Sequence, residues 1–214
     1  MFALPPPIVA GEIVRLQTRQ HVIALTFDGG GNADGADSVL KVLRREKVRA
    51  TFFLTGHFVQ SYPALARVIG RRYPVGNHTV NHLDMLRMPL AAAKREVTRA
   101  AVMIEQATGR DPHPYFRFPY GSRNSATLRL VNDLGYASVR WTVDTWGWMG
   151  LSQQSVGGAV RRVMQNLVPG EIVLMHLGSS RDHSTIDSNA LPRVIRLVRA
   201  RGYRFVTLAG IRAP

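Results

Sequence analysis

Short apolar runs of strand type alternate along this chain with longer stretches whose apolar residues recur at helical spacing, and this alternation constrains the fold more than any other feature. Strands are predicted at His21 to Phe27, Arg49 to Thr55, Pro74 to Asn77, Tyr115 to Phe118, Tyr136 to Val143, Glu171 to His176 and Arg204 to Leu208. Helical period fills the intervals, at Ala36 to Glu46, Phe58 to Arg71, Leu90 to Thr108, Ser125 to Leu134, Ser152 to Leu167 and Asn189 to Arg201. Gly70, Gly109, Gly135, Gly170 and Gly202 stand where such helices would end. Repeated strand-then-helix units imply a parallel sheet or barrel, because parallel neighbours need a crossover long enough to be a helix. No repeat, low-complexity tract or linker interrupts the pattern, so the 214 residues read as an extension over 1–20 and one domain over 21–214.

Composition removes several function classes. A hydrophobic content of 45% fills a core and argues against disorder, and the absence of Cys excludes thiolate-bound zinc and a disulfide framework. With no Cys and no Gly-x-Ser-x-Gly elbow, nucleophilic catalysis has no support. No apolar run approaches the roughly 20 residues of a membrane-spanning helix, and Met1 to Ala10 lacks the basic flank of a secretory leader. Lys and Arg outnumber Asp and Glu 28 to 14, giving a net charge of +14. These cations are spread out, with pairs such as Arg44-Arg45, Arg71-Arg72 and Arg161-Arg162 read as solvated helix faces. They would draw the protein toward any polyanion, but no specific nucleic-acid signature appears.

The polar residues at the predicted strand ends carry more information. Asp28, His78, Arg117, Asp144 and His176 each fall at or just past a C-terminal strand end, where parallel α/β folds place their active-site loops. His78 and His82 have the i, i+4 spacing that lets two imidazoles on one helical turn share a divalent ion; two surface histidines are the plainer alternative. Asp28 precedes a glycine-rich loop, well placed as a general base or metal ligand, although a capped turn has the same appearance. Arg117-Phe118-Pro119-Tyr120-Gly121 could set a guanidinium beside a carboxylate and offer backbone N–H groups to a substrate oxygen. Asp144-Thr145-Trp146-Gly147-Trp148 joins an acid to two indoles, which wall carbohydrate sites as readily as they fill cores. Ile172 to His176 delivers an imidazole to a strand tip, as a general acid or a structural residue. Metal-assisted hydrolysis is the chemistry these residue types support.

Taken in order, these segments resemble the polysaccharide deacetylase family, carbohydrate esterase family 4, also called the NodB homology domain. The matching stretches are Thr26-Phe27-Asp28, Ala50 to Gly56, His78 to His82, Arg117 to Gly121, Asp144 to Trp148 and Leu174-Met175-His176, and the likeness runs from about His21 to Leu208. It implies an α/β fold, a deformed (β/α) barrel of about seven parallel strands. The implied activity removes N- or O-acetyl groups from a glycan such as peptidoglycan, chitooligosaccharide or xylan. It also implies a divalent ion, zinc by expectation, with cobalt, nickel or manganese accommodated by similar donors.

Residue by residue, the resemblance makes Asp28 the base, His78 and His82 metal ligands, and Arg117 the group that orients the base. Tyr120 would offer its backbone N–H to the oxyanion, Leu174 and Trp148 would line the acetyl pocket, and His176 would be the acid. Two positions depart from the family pattern. Gly29 stands where the family carries a second, metal-binding Asp, and Gly147 where it carries an Asp that tunes the site. Asp34, on the same glycine loop as Asp28, is the expected replacement ligand, with capping of the helix that begins near Ala36 as its alternative; Asp144 is expected to compensate in part for Gly147. A catalytically silent glycan-binding module and a hydrolase of small amides remain as alternatives. The expected partner is an acetylated polysaccharide or oligosaccharide, with no specific nucleic acid and no membrane span, for a monomer acting outside the cytoplasm.

Overall fold

The computed structural model describes residues 12–165 and 167–208. In chain order these form β1 (Glu12–Ile13), β2 (Val22–Gly29), α1 (Ala36–Arg45), β3 (Thr51–Leu54), α2 (Gly56–Ser61), α3 (Pro63–Arg72), β4 (Val75–Asn77), α4 (Leu90–Thr108), β5 (Tyr115–Phe116), α5 (Ser125–Asp133), β6 (Ala137–Val139), β7 (Val143–Asp144), α6 (Val156–Gln165), β8 (Glu171–His176), α7 (Ile186–Ala200) and β9 (Arg204–Val206). Two compact units result. The first holds 12–14 with Phe52–Arg140, and the second holds Arg15–Thr51 with Trp141 onward.

In the first unit the strands run parallel in the order β1, β6, β5, β4, β3. A Cβ at Gly76 would lie 2.7 Å from the Phe53 ring and 2.9 Å from the Tyr115 carbonyl, so β4 fits between its neighbours only as glycine. Met85, Ala93, Val97, Phe116, Phe118, Val131 and Tyr136 form a buried cluster under α4 and α5. The predicted Phe58 to Arg71 helix is two helices. Pro63 has no N–H to continue α2, and it pushes Tyr62 out of the helical region to φ −129°, ψ 57°. Gly70 does not end a helix. It sits within α3, where a Cβ would meet the Thr108 carbonyl at 2.2 Å, so its missing side chain lets α3 press against the end of α4.

In the second unit β9, β2, β8 and β7 are parallel, with β2 between β9 and β8. Every residue of β2 is buried, as expected of a parallel strand covered on both faces. Its register against β8 sets Thr26 opposite Leu174 and Asp28 opposite His176. The predicted strand Tyr136 to Val143 is divided into β6 and β7. Arg140 N–H donates to the Ile13 carbonyl and Thr142 N–H to the Ile172 carbonyl, so the backbone changes partner within two residues. That division, together with β1, gives nine short strands among the described residues where seven were predicted.

Helix α6 starts only after Ser155, whose hydroxyl accepts the Gly158 N–H. Helix α7 starts three residues before the predicted Asn189. Gly109, Gly135 and Gly202 close helices at φ 69°, 83° and 77° as predicted, whereas Gly170 at φ 79° belongs to the turn into β8.

Candidate active site

Each of the five predicted strand-end residues lies where the pattern put it. Asp28, Asp144 and His176 are in the last two residues of β2, β7 and β8, and His78 and Arg117 directly follow β4 and β5.

In the first unit, His78 and His82 do share a neighbourhood, with ring centroids 4.7 Å apart and edge to face. They reach it on a loop and not on the predicted helical turn, since Thr79 and His82 take φ 66° and 56°. That loop is held at every amide. His78 N–H donates to the Leu54 carbonyl, Thr79 to Asn77 Oδ1, Val80 and Asn81 to Glu96 Oε2, and His82 to Thr79 Oγ1. The buried His78 ring has Nδ1 2.8 Å from the Arg117 carbonyl. A carbonyl only accepts, so Nδ1 carries the proton and Nε2 the lone pair that a metal needs.

Arg117 is 1% exposed; its Nε donates to the Val139 carbonyl, its Nη2 to the Arg140 carbonyl, and its guanidinium lies 4.0 Å over the Phe53 ring. Tyr120 is exposed, takes φ 58° in the Pro119–Gly121 turn, and stands edge-on to the His82 ring at 4.7 Å.

In the second unit Asp28 and His176 are adjacent across β2 and β8, and the Asp28 carbonyl accepts the Leu177 N–H. Asp144 lies opposite Leu174, a buried residue whose carbonyl takes both the N–H and the hydroxyl of Thr145. The Asp144 carboxylate accepts the Trp146 N–H at 2.7 Å and the Trp148 indole N–H at 3.2 Å, so it organises the turn that carries both indoles. Arg162 stacks 3.3 Å over the Trp146 ring, and Arg181 lies 5.4 Å from that of Trp148.

Two titrations here are shifted upward. Burial pushes Asp144 above the ordinary carboxylate range, against the opposing pull of His176 and the two N–H donors. For His176 burial alone would favour the neutral ring, but the Asp187 carboxylate beside it and the charges of Asp144 and Asp28 together raise its pKa.

Asp187 is the residue that the sequence reading missed. It lies in the first turn of α7, 2% exposed, with Oδ2 accepting the His176 backbone N–H at 2.8 Å. No spacing rule connects it to His176; the available signal was the bare Gly147, which leaves room for a side chain from elsewhere. Asp34 does not cap α1, whose N-cap is Gly35 with no side-chain bond. Its Oδ2 lies 2.9 Å from Nδ1 of His183.

A carboxylate and an imidazole on neighbouring strand tips, with further carboxylates around the imidazole, are the equipment of an acid–base hydrolase. The chain belongs to the polysaccharide deacetylase family, whose family model matches residues 15–139. A chitooligosaccharide deacetylase of Azorhizobium caulinodans is 29% identical to it over 205 residues, which cover 91% of this chain and 96% of the relative. The solved structure of the Bc1960 peptidoglycan N-acetylglucosamine deacetylase is similar with a TM-score of 0.85 and 26% identity, over 92% of this chain and 90% of that one. BA3943 of Bacillus anthracis, a pseudoenzyme of carbohydrate esterase family 4, is similar at a TM-score of 0.83 and 27% identity, over 93% of this chain and 68% of its own. A mutant of that pseudoenzyme has restored enzymatic activity. The expected fold class, an α/β fold of the NodB type, is borne out by these likenesses.

The donor chemistry fits the family's metal only in part. The His78 and His82 rings are paired and the His78 tautomer suits a ligand, but among the described residues no three His, Asp or Glu side chains are grouped to hold an ion. Gly29 has no side chain to add.

Proposed function

We propose that this chain is a hydrolase that removes acetyl groups, amide- or ester-linked, from a glycan. The observation that supports this best is the register of Asp28 against His176, which sets a carboxylate beside an imidazole whose surroundings favour its proton. Asp28 takes a proton from the attacking water, water oxygen adds to the acetyl carbon, and His176 gives its proton to the departing amine or alkoxide as the carbon–nitrogen or carbon–oxygen bond breaks. The products are acetate and the free amine or hydroxyl. Arg117, Tyr120, Trp148 and Leu174 keep the roles that the resemblance gives them, and Asp144 holds the Trp146–Trp148 turn.

His78 and His82 would hold a divalent ion, zinc by expectation, with Asp34 the proposed further ligand. When bound, that ion supplies polarisation of the acetyl carbonyl. The net charge of +14 suits an anionic wall polymer, which supports action outside the cytoplasm.

A second reading, a silent glycan-binding module, draws support from the incomplete donor group and from the pseudoenzyme neighbour. Acetate release from N-acetylated chitooligosaccharide, acetylated xylan and peptidoglycan, measured with zinc and with chelator, separates the two. Retention of a glycan with no acetate from any substrate would establish the binding module.

A further inference from the structure

The resemblance puts an aspartate at position 147, where this chain has glycine, and the space that its side chain would fill is taken. A Cβ on Gly147 would lie 2.3 Å from Cγ and Oδ2 of Asp187 and 2.5 Å from Oδ1. Gly147 does not have a positive φ, so its backbone would accept any residue. What excludes a side chain is the Asp187 carboxylate itself.

That carboxylate is turned toward His176. Besides accepting the backbone N–H, Oδ2 lies 3.7 Å from Nδ1 of the imidazole. Neither His176 Nδ1 nor Asp187 Oδ1 has a hydrogen-bond partner among the described residues, although both atoms are buried. A buried imidazole nitrogen without a partner, 3.7 Å from a buried carboxylate that itself has one oxygen unsatisfied, is costly unless the two groups pair in a working state, and catalytic hydrogen bonds are often long until substrate is bound.

We infer that Asp187, eleven residues beyond His176 and on a different element from the tryptophan turn, supplies the carboxylate lost at position 147, and that it orients and charges the His176 imidazole for proton donation. Asp187 is thus a positioning residue, and Gly147 is its steric counterpart, glycine because Asp187 is there. The inference rests on the acid role proposed for His176. The charged groups around that ring are Asp28 from β2, Asp144 from β7 and Asp187 from α7, and all three raise its pKa against burial. Asp187 also accepts the His176 backbone N–H, which fixes its carboxylate beside the ring.

The competing explanation is that Asp187 only pins the His176 backbone, a task that the amide oxygen of Asn would also perform. The test is therefore an NMR titration of the His176 imidazole in the parent, in Asp187→Asn, in Asp187→Gly and in the exchanged pair Gly147→Asp with Asp187→Gly. The parent should titrate above the ordinary value of about 6.5. Both single variants should lose roughly tenfold or more in proton affinity, and the exchanged pair should regain most of it.

In acetate release, Asp187→Asn should lose on the order of 10²-fold in kcat, and the alkaline limb of its pH profile should move to lower pH. An unchanged titration in Asp187→Asn, or a parent that titrates at or below the ordinary value, overturns the inference. If Asn and Gly variants fold poorly, the exchanged pair decides: a folded exchanged pair whose His176 titrates low would also overturn it. Because the titration uses no substrate, a chain that releases no acetate still tests the role of Asp187, so failure here and failure of the deacetylase reading are distinguishable.

Discussion

His78 and His176 are both delivered by parallel strands, one in each compact unit, yet they face different acceptors. His78 Nδ1 meets the uncharged carbonyl of Arg117, and His176 Nδ1 faces the carboxylate of Asp187 with two more carboxylates nearby. A carbonyl fixes which nitrogen carries the proton and leaves the other as a lone-pair donor, the form suited to an ion. Carboxylates favour the doubly protonated ring, the form suited to giving a proton away. The partner of Nδ1 therefore separates the two roles proposed for these histidines. The neighbours of the two rings differ in the same way: Arg117, whose carbonyl meets His78, is held by the Val139 and Arg140 carbonyls and the Phe53 face, whereas around His176 the neighbours are carboxylates.

The largest expected effect comes from removing the proposed proton donor. His176→Ala should lose on the order of 10²- to 10⁴-fold in kcat while its melting temperature stays within a few degrees of the parent, measured by acetate release and calorimetry. Wild-type turnover and pH dependence in that variant would end the contrast drawn above.

Removing an imidazole from the other unit should act through the ion instead. His78→Ala and His82→Ala are each expected to lose bound metal and activity together, measured by elemental analysis after gel filtration in zinc. Full activity of a metal-free His78→Ala protein would remove the metal from the mechanism.

A third experiment tests the shifted titrations at the opposite end of β8. Glu171 is fully buried, its Oε1 has no partner, and burial pushes its pKa up to about 7 despite the bond that its Oε2 accepts from Val168 N–H. A folded-state pKa above the unfolded one means that the native state binds the extra proton. The stability it contributes is complete below about pH 4.5 and is lost as pH rises through 7, a change of about 3 kcal/mol. Glu171→Gln should lack this part of the decline, so urea unfolding of parent and variant should converge near pH 4.5 and diverge at pH 8, with the variant more stable. Parallel curves would show that Glu171 ionises without cost.

The smallest effect on stability is expected at Asp34. Its partner His183 is exposed, so the pair contributes no more than about 1 kcal/mol and Asp34→Asn should melt almost normally. Its zinc affinity is the informative quantity. A marked fall at constant stability supports the ligand, and unchanged affinity leaves Asp34 as the surface partner of His183.

The parallel strands and the strand-tip positions of Asp28, His78, Arg117, Asp144 and His176 were legible because alternating pattern and strand ends are local properties. The break at Tyr62–Pro63 was also written locally, in a proline that the helical period of the surrounding residues concealed. The division of Tyr136 to Val143 was not legible, since it depends on which carbonyls accept from Arg140 and Thr142. Nor was the loop geometry of His78 and His82, because an i, i+4 pair meets on a helix and also on a loop with two residues at positive φ. Asp187 was the deepest omission: its significance is a volume shared with Gly147, and a shared volume leaves no trace in spacing.

The loop from His78 to His82, with all five of its amides engaged, carries a consequence for binding kinetics. Amides bonded to Leu54, Asn77, Glu96 and Thr79 should exchange with solvent slowly, as those of a strand do, although the segment has no regular structure. The conformational entropy of placing the two rings is then lost when the chain folds and not when an ion arrives. If the two rings hold the proposed ion, its capture needs no loop closure, so the association rate should follow the ion's own dehydration, and replacing Glu96 should slow it by making closure part of every encounter.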